Sequence, residues 1–198
     1  WYISISGPNI NIGQCVTIVA EPDHRVKIAV WGREPELGKI TIGDYVLLSP
    51  GCRISASDEI IIGNSVMVAN GVYITDSDWH GIYDRTARTT AVTPVHIGDN
   101  VWLGDRSTVL KGVTIGENTI VAAGAVVSKN MPANVVLAGN PAKVVKHLDA
   151  EQGFTTRADY FSDPVALQEF VDGVDKAVLT KNSFFNWLRS LISPSVRD

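Results

Sequence analysis

Between Val95 and Pro132 an aliphatic residue returns at every sixth position: Ile97, Leu103, Val109, Ile115, Val121 and Val127. Four residues after each of the first five stands a small or β-branched one, Val101, Ser107, Val113, Thr119 and Ala125. A helix repeats its buried face every 3.6 residues and a strand every second residue. A six-residue period fits neither. It predicts a solenoid whose unit is one short strand and one turn, each unit covered by its neighbours.

The same frame runs through the earlier chain with interruptions. Ser6-Gly7, Ile12-Gly13 and Ile18 are in register, with Ile10 and Val16 at the small inward positions. Ala20 to Lys39 breaks the pattern. Arg25 to Trp31 alternates polar and apolar and reads as a strand, and Gly32 to Gly38, with Pro35, reads as a loop. The frame resumes at Ile42, Leu48 and Ile54, and after a two-residue insertion near Asp58-Glu59 at Ile62, Val68 and Ile74.

Thr75 to His96 is out of phase, polar and aromatic. A long loop leaving a regular scaffold points to function. The frame stops around Met131-Pro132, and Pro132 and Pro141 are expected to limit further pairing. Asp163-Pro164 reads as an N-cap with proline at the first helical position, opening a helix through Val165–Val171, Val174, Val178 and Leu179. A second amphipathic segment, Ser183 to Ile192, aligns Phe184, Trp187, Leu188 and Leu191 on one face. The expected division is a coil domain 1–148, with the excursion at 75–96, and a helical extension 149–198.

Composition adds limits. Hydrophobic residues make up 45% of the chain and charged ones 19%, enough for a packed core. A net charge of −4 without a basic cluster argues against nucleic-acid binding. Cys15 and Cys52 both fall inside the frame and read as small buried thiols rather than a disulfide pair or a nucleophile. No apolar run is long enough for a membrane span and no signal-peptide pattern is present. The cytoplasm is the expected location, with an upstream targeting segment left open because the chain starts at Trp1. The tail is expected to cover the coil's open end or a partner subunit, since only Lys181 and Arg189 supply positive charge for a membrane surface.

The chain holds four histidines, His24, His80, His96 and His147. His80 lies in the excursion, six residues after Ile74. Imidazole titrates near neutrality, so it suits removal of a hydroxyl proton. Asp76 or Asp78 would accept from the other ring nitrogen and fix the tautomer; a backbone carbonyl serves equally, and either aspartate also reads as a turn residue. Trp79 and Tyr83 offer aromatic faces for stacking on a bound molecule or pack the loop on the coil. His96 reads as a coil-surface residue, and His24 and His147 have no partner pattern. A zinc site needs three histidines from adjacent coils; that pattern is missing, so no metal is expected.

The tandem [Ile/Leu/Val]-Gly-x4 pattern resembles the hexapeptide-repeat family. Within it, IGDNVWLGDRSTVLKGVTIGENTIVAAGAVVSKNMPANVVLAGNPAKVVK is similar to the carboxy-terminal coil of the maltose/galactoside and polysaccharide O-acetyltransferase branch. The resemblance covers residues 3 to 147. It implies an all-β left-handed parallel β-helix, three hexapeptides to a triangular coil, with a protruding loop and a C-terminal helical tail. Its handedness runs against the usual rule for parallel crossovers and is carried by the resemblance alone.

The resemblance further implies acetyl-CoA-dependent transfer to a sugar or polysaccharide hydroxyl. His80 occupies the place of the catalytic histidine, with Asp76 the preferred orienting residue. Acetyl-CoA would lie along the last coils, between subunits of a homotrimer. Asp105 and Ala123 stand where the family contacts the cofactor arm, and Ser128-Lys129 matches its Thr/Ser-Lys pair. Lys143 and Lys146 match two basic positions near the nucleotide phosphates; solvated surface is the alternative, and lysine lacks arginine's bidentate fork. Trp102 of the NVW tripeptide lines the groove or fills the coil surface. On the acceptor side stand Asp78, Trp79 and Tyr83. Ser49, one residue after Leu48, replaces an acceptor-contacting asparagine. No helical region precedes the coil, which favours the polysaccharide-modifying group. N-acetylation of an amino sugar or nucleotide sugar, and a non-catalytic scaffold, stay open beside this reading.

Overall fold

The computed structural model describes residues 2–33, 36–87, 91–180 and 183–193. The chain lays down short strands in rungs of three. The first rung is β1 (Ile3–Ser6), β2 (Ile10–Ile12) and β3 (Thr17–Ile18). The second is β4 (Val26–Val30), then a side hairpin of β5 (Gly32–Arg33) and β6 (Glu36–Leu37), then β7 (Lys39–Ile42) and β8 (Leu47–Leu48). The third is β9 (Arg53–Ala56), β10 (Glu59–Ile62) and β11 (Met67–Val68). The fourth is β12 (Tyr73–Thr75), β13 (Val95–Ile97) and β14 (Trp102–Leu103). The fifth is β15 (Thr108–Val109), β16 (Thr114–Ile115) and β17 (Ile120–Val121). β18 (Val126–Val127), β19 (Val135–Ala138) and β20 (Lys143–His147) close the series.

Successive strands pass to three sheets in rotation, so each sheet collects every third strand of the rungs: β1-β4-β9-β12-β15-β18, β2-β7-β10-β13-β16 and β3-β8-β11-β14-β17-β19-β20. Pairing between successive rungs is parallel. Residues eighteen apart become register partners, as in Ile97↔Ile115, Leu103↔Val121 and Val109↔Val127. The inward side chains of all three sheets therefore meet in one core. The six-residue aliphatics from Ile42 to Val127 are essentially fully buried, and so are Val101, Ser107, Val113, Thr119 and Ala125. Burying each aliphatic stabilises the fold by roughly 1.5–3 kcal/mol before entropy is counted.

The corners explain the glycine of the repeat. A Cβ on Gly63 would sit 2.4 Å from the Asp99 carboxylate, which accepts the Asn64 N–H at 2.7 Å from the next rung. The side-chain oxygen that joins two rungs fills the space. One residue on, Asn100, Asn118 and Asn134 adopt positive φ, 55°, 57° and 58°, which asparagine tolerates better than most residues. Their amides form a ladder, Asn100 Nδ2 donating to Asn118 Oδ1 at 2.9 Å and Asn118 Nδ2 to Asn134 Oδ1 at 3.0 Å.

Three expectations need correction. Gly32–Gly38 is not a plain loop, because Gly32↔Leu37 and Arg33↔Glu36 pair as an antiparallel hairpin. Pairing also continues beyond Pro132. Met131 still fills the core, β19 runs parallel to β17, and β20 returns antiparallel on β19. Both prolines lie outside these strands, so neither removes a ladder donor. Cys15 is exposed, at a corner with φ of 53°, because it stands three residues after Ile12 and not four. Cys52 is buried as expected. Burial pushes its thiol up to about 11, and its Sγ donates to the Ala69 carbonyl at 3.1 Å.

After β20 the chain runs back along the rungs. Leu148 N–H donates to Asn134 O at 2.7 Å; Arg157 Nε donates to Tyr45 O at 2.7 Å and its Nη2 to Thr17 Oγ1 at 3.0 Å. This first compact unit spans residues 1–158.

The second unit, residues 159–198, contains the two main helices. The chain enters it through the short helix α1 (Arg157–Tyr160). α2 (Pro164–Leu179) starts at Asp163, whose carboxylate accepts from Val165 N and Ala166 N, and α3 (Phe184–Ile192) starts at Ser183. Phe184, Trp187, Leu188 and Leu191 of α3 are exposed. Lys181 lies outside the described residues. Among those residues no helix is long and apolar enough to cross a membrane.

Candidate active site

The excursion is rooted where β12 ends. Asp76 is fully buried, and its carboxylate accepts from Ser57 N at 2.8 and 3.0 Å and from Asp58 N at 2.7 Å. Burial pushes its carboxyl above the ordinary value, and the Asp58 and Ser57 N–H bonds pull the other way. The two legs of the excursion meet at a Ser77↔Val92 bridge, and Thr93 N donates to Asp76 O at 3.0 Å. From the next rung Lys111 reaches both legs, with an ion pair to Asp78 at 2.5 Å and a bond to Ala91 O at 3.4 Å.

Trp79 turns the chain with φ of 65°. Its N–H donates to Ser77 Oγ at 3.0 Å, and its indole N–H is shared between Tyr73 OH and Thr75 Oγ1, each at 3.1 Å. The ring meets Trp31 edge-on, with centroids 6.2 Å apart. His80 follows, exposed, with Nδ1 3.0 Å from the carbonyl oxygen of Arg85. A carbonyl only accepts, so Nδ1 is the donor in this contact, and in the neutral ring that leaves Nε2 as the acceptor.

These residues rim a cleft of about 300 Å³. Trp31 follows β4 and Gly32 opens β5, Arg53 and Ser57 come from β9 and its turn, and Trp79 and His80 from the excursion. Arg53 lies along its strand, donating from Nε to Ser55 Oγ at 3.2 Å, with its guanidinium 5.2 Å from the centre of the Tyr73 ring.

Of the residues singled out from sequence, His80 and Trp79 share this cleft. Asp76 is not His80's hydrogen-bond partner: its carboxylate holds the two-residue insertion at Ser57-Asp58, and the Arg85 carbonyl takes the orienting position. Asp78 faces Lys111. Tyr83 is fully exposed and does not line the cleft. Ser49 follows β8, at a corner after the third sheet, whereas the cleft lies beyond the ends of the first-sheet strands.

Trp102 is half-exposed on the outer face of the third sheet, paired with Met67 and Ile120. Asp105 and Ala123 lie two residues beyond the register pair Leu103↔Val121, and Asp105 O accepts from Gly124 N at 2.8 Å. Ser128 and Lys129 follow β18, in the same sheet as β12 and two strands from it. Lys143 and Lys146 are exposed on β20. Sequence reasoning missed Trp31, Arg53, Ser57 and Lys111. Trp31 ends the alternating strand Arg25–Trp31, a signal within reach; the others carry no motif.

Residues 94–129 match the family described as bacterial transferase hexapeptide (six repeats). The chain is 34% identical over 125 residues to the "Putative lipopolysaccharide biosynthesis O-acetyl transferase WbbJ" of Escherichia coli K12, covering 58% of this chain and 63% of that protein. It is 34% identical over 92 residues to the galactoside O-acetyltransferase of the same organism, covering 46% of this chain and 45% of that one. It thus spans less than two thirds of either relative. Among solved structures it is similar to a maltose O-acetyltransferase from Clostridium difficile 630, with 32% identity, a TM-score of 0.51, and coverage of 74% of this chain and 70% of that one. With the six-residue frame closed into three parallel sheets and this likeness spread over most of both chains, the protein belongs to the hexapeptide-repeat acetyltransferase family.

Proposed function

We propose that the chain is an acetyl-CoA-dependent O-acetyltransferase acting on a sugar or polysaccharide hydroxyl, with His80 as general base. The observation that carries this is the imidazole at the rim of the cleft with Nδ1 held by the Arg85 carbonyl, which leaves Nε2 of the neutral ring to take a proton. The acceptor hydroxyl gives its proton to Nε2 as its oxygen attacks the acetyl carbonyl; the carbon–sulfur bond then breaks, and the imidazolium returns the proton to the departing sulfur, releasing coenzyme A as its thiol. A positioned base of this kind contributes about 10²–10⁴ in rate. Transfer is direct in a ternary complex. Cys52, buried and held protonated, is unsuited to form an acyl-enzyme.

Acetyl-CoA supplies the activated thioester. Lys129, Lys143 and Lys146 are exposed and have no carboxylate within ion-pair distance among the described residues. Their charge suits the nucleotide phosphates. Trp102, Asp105, Ala123 and Ser128 would flank the arm along the later rungs. In this reading the coil is a left-handed parallel β-helix over 1–148, followed by a helical extension over 149–198, and three copies form a cytoplasmic homotrimer with active sites between subunits. Ser49 would then serve a site shared with a neighbour. Names of relatives point to polysaccharide biosynthesis, as in WbbJ.

The test is coenzyme A release on a panel of saccharides, followed by alkaline treatment of the product. A base-labile acetyl ester supports O-transfer. A stable amide formed only on amino sugars would move the assignment to N-acetylation.

A further inference from the structure

Beside the His80 cleft, on the outer face of the first sheet, lies a second depression of about 360 Å³. Its lining includes Arg25, Lys27 and Arg53, together with Asp23 and His24. Lys27 and Arg53 are direct register partners on β4 and β9, and Arg53 is in turn the partner of Tyr73. Arg53 lines both depressions. It reaches from one to the other because its side chain lies along β9, tied at Nε to Ser55 Oγ and set against the Tyr73 ring. Tyr73 OH accepts from the indole of Trp79, the residue next to His80.

The charges here are unbalanced. Asp23 is engaged by His24 at 3.2 Å, and Glu21 clusters with the same two residues. Among the described residues no carboxylate lies within ion-pair distance of Arg25, Lys27 or Arg53. In a chain of net charge −4, three cations lining one depression with no carboxylate paired to them among the described residues make a local positive field that favours an anion. Adjacent strands are about 4.8 Å apart, so Lys27 stands roughly 10 Å from the Tyr73 strand. That is the reach of a short saccharide.

We infer that the acceptor is anionic, and that Arg53, Lys27 and Arg25 bind a carboxylate or phosphate on it while the hydroxyl to be acetylated lies at His80. This rests on the O-acetyltransferase reading above and adds the acceptor's charge to it. The donor's phosphates are a poorer match. The residues assigned to acetyl-CoA lie on β14 and β20 or follow β14, β17 and β18, whereas this cluster lies just before β4, on β4 and on β9, on the other side of the β12 excursion. Arginine's fork suits a planar carboxylate, and Lys27 adds a point charge.

The test is titration calorimetry on the full chain with four ligands: a uronate-containing oligosaccharide, its carboxyl-reduced form, a sugar phosphate and its dephosphorylated form. One acidic ligand should bind more tightly than its neutral twin, a preference that weakens as salt is raised. Which acid wins tells carboxylate from phosphate. Lys27→Gln should weaken the acidic ligand about fivefold and leave the neutral one alone, while Lys39→Gln, a cation paired with Glu59 on the second sheet, should change neither. Equal binding of acidic and neutral forms, or a Lys27→Gln effect on coenzyme A in place of the saccharide, overturns the inference. Acetyl transfer to neutral saccharides with no charge preference would sink it and leave the O-acetyltransferase reading standing. Charge-dependent binding without any ester formed would do the reverse.

Discussion

His80 Nδ1 and the Arg85 carbonyl oxygen, five residues apart in the chain, lie 3.0 Å from each other. The proposed base and the carbonyl that holds its ring therefore belong to the same excursion. Asp84 caps that loop, its carboxylate accepting from Thr86 N, Thr86 Oγ1 and Ala87 N. A backbone acceptor cannot be removed by mutation, so the orientation of His80 depends on whatever holds the excursion in place.

Lys111 is one such support. Its ion pair with Asp78 and its bond to Ala91 O tie both legs to the fifth rung. A partly exposed pair of this kind contributes about 0–1 kcal/mol to global stability. Lys111→Met should therefore leave the melting temperature nearly unchanged and lower kcat/KM by about tenfold through misplacement of His80. Asp78→Asn should do the same, and the double variant should lose little more than either single one. Additive losses in steady-state kinetics would show that the two residues act separately.

Asp76 should behave as a structural residue. Asp76→Ala strands the N–H groups of Ser57 and Asp58 and should cost about 1–3 kcal/mol, read from chemical denaturation. Its pH signature follows from burial, which raises the folded-state pKa above the ordinary 3.8. A raised carboxyl stabilises the fold fully below pH 3.8, and that contribution is lost as pH rises through the shifted value. Stability of wild type relative to Asp76→Asn should thus fall over that interval. A difference that grows with pH would contradict the assignment.

Both features of that anchor stand in the sequence, and their connection does not. The frame shows a two-residue insertion near Asp58-Glu59, and the excursion shows an aspartate after Thr75. Periodicity reports which side chains point inward, and there it is dependable: Ile97, Leu103, Val109, Ile115, Val121 and Val127 are at most 2% exposed. It says nothing about which corner of one rung lies over which turn of another. Asp76 therefore reads as a catalytic partner, Arg53 and Lys111 carry no signal, and the distance between Ser49 and the cleft is hidden. Cys15 shows the same limit at the scale of one residue, since a shift from the fourth to the third place after Ile12 moves it from core to corner.

Ser107 offers a test of the core. Its hydroxyl is buried with no hydrogen-bond partner among the described residues, at a position that Ala125 takes one rung later. A buried unsatisfied hydroxyl costs about 1–3 kcal/mol. Ser107→Ala should raise stability by about 1 kcal/mol, which corresponds to roughly 2–4 °C in a chain of this size. A fall in melting temperature would mean that the hydroxyl has an unseen partner.

The central claim is tested most directly by turnover of His80→Ala. Because His80 is exposed, the substitution should leave the unfolding transition within about 0.5 kcal/mol of wild type. With acetyl-CoA and a saccharide that the wild-type protein acetylates, coenzyme A release should fall by about 10²–10⁴ while acetyl-CoA affinity is retained. Near-wild-type turnover by a folded His80→Ala protein would contradict the account.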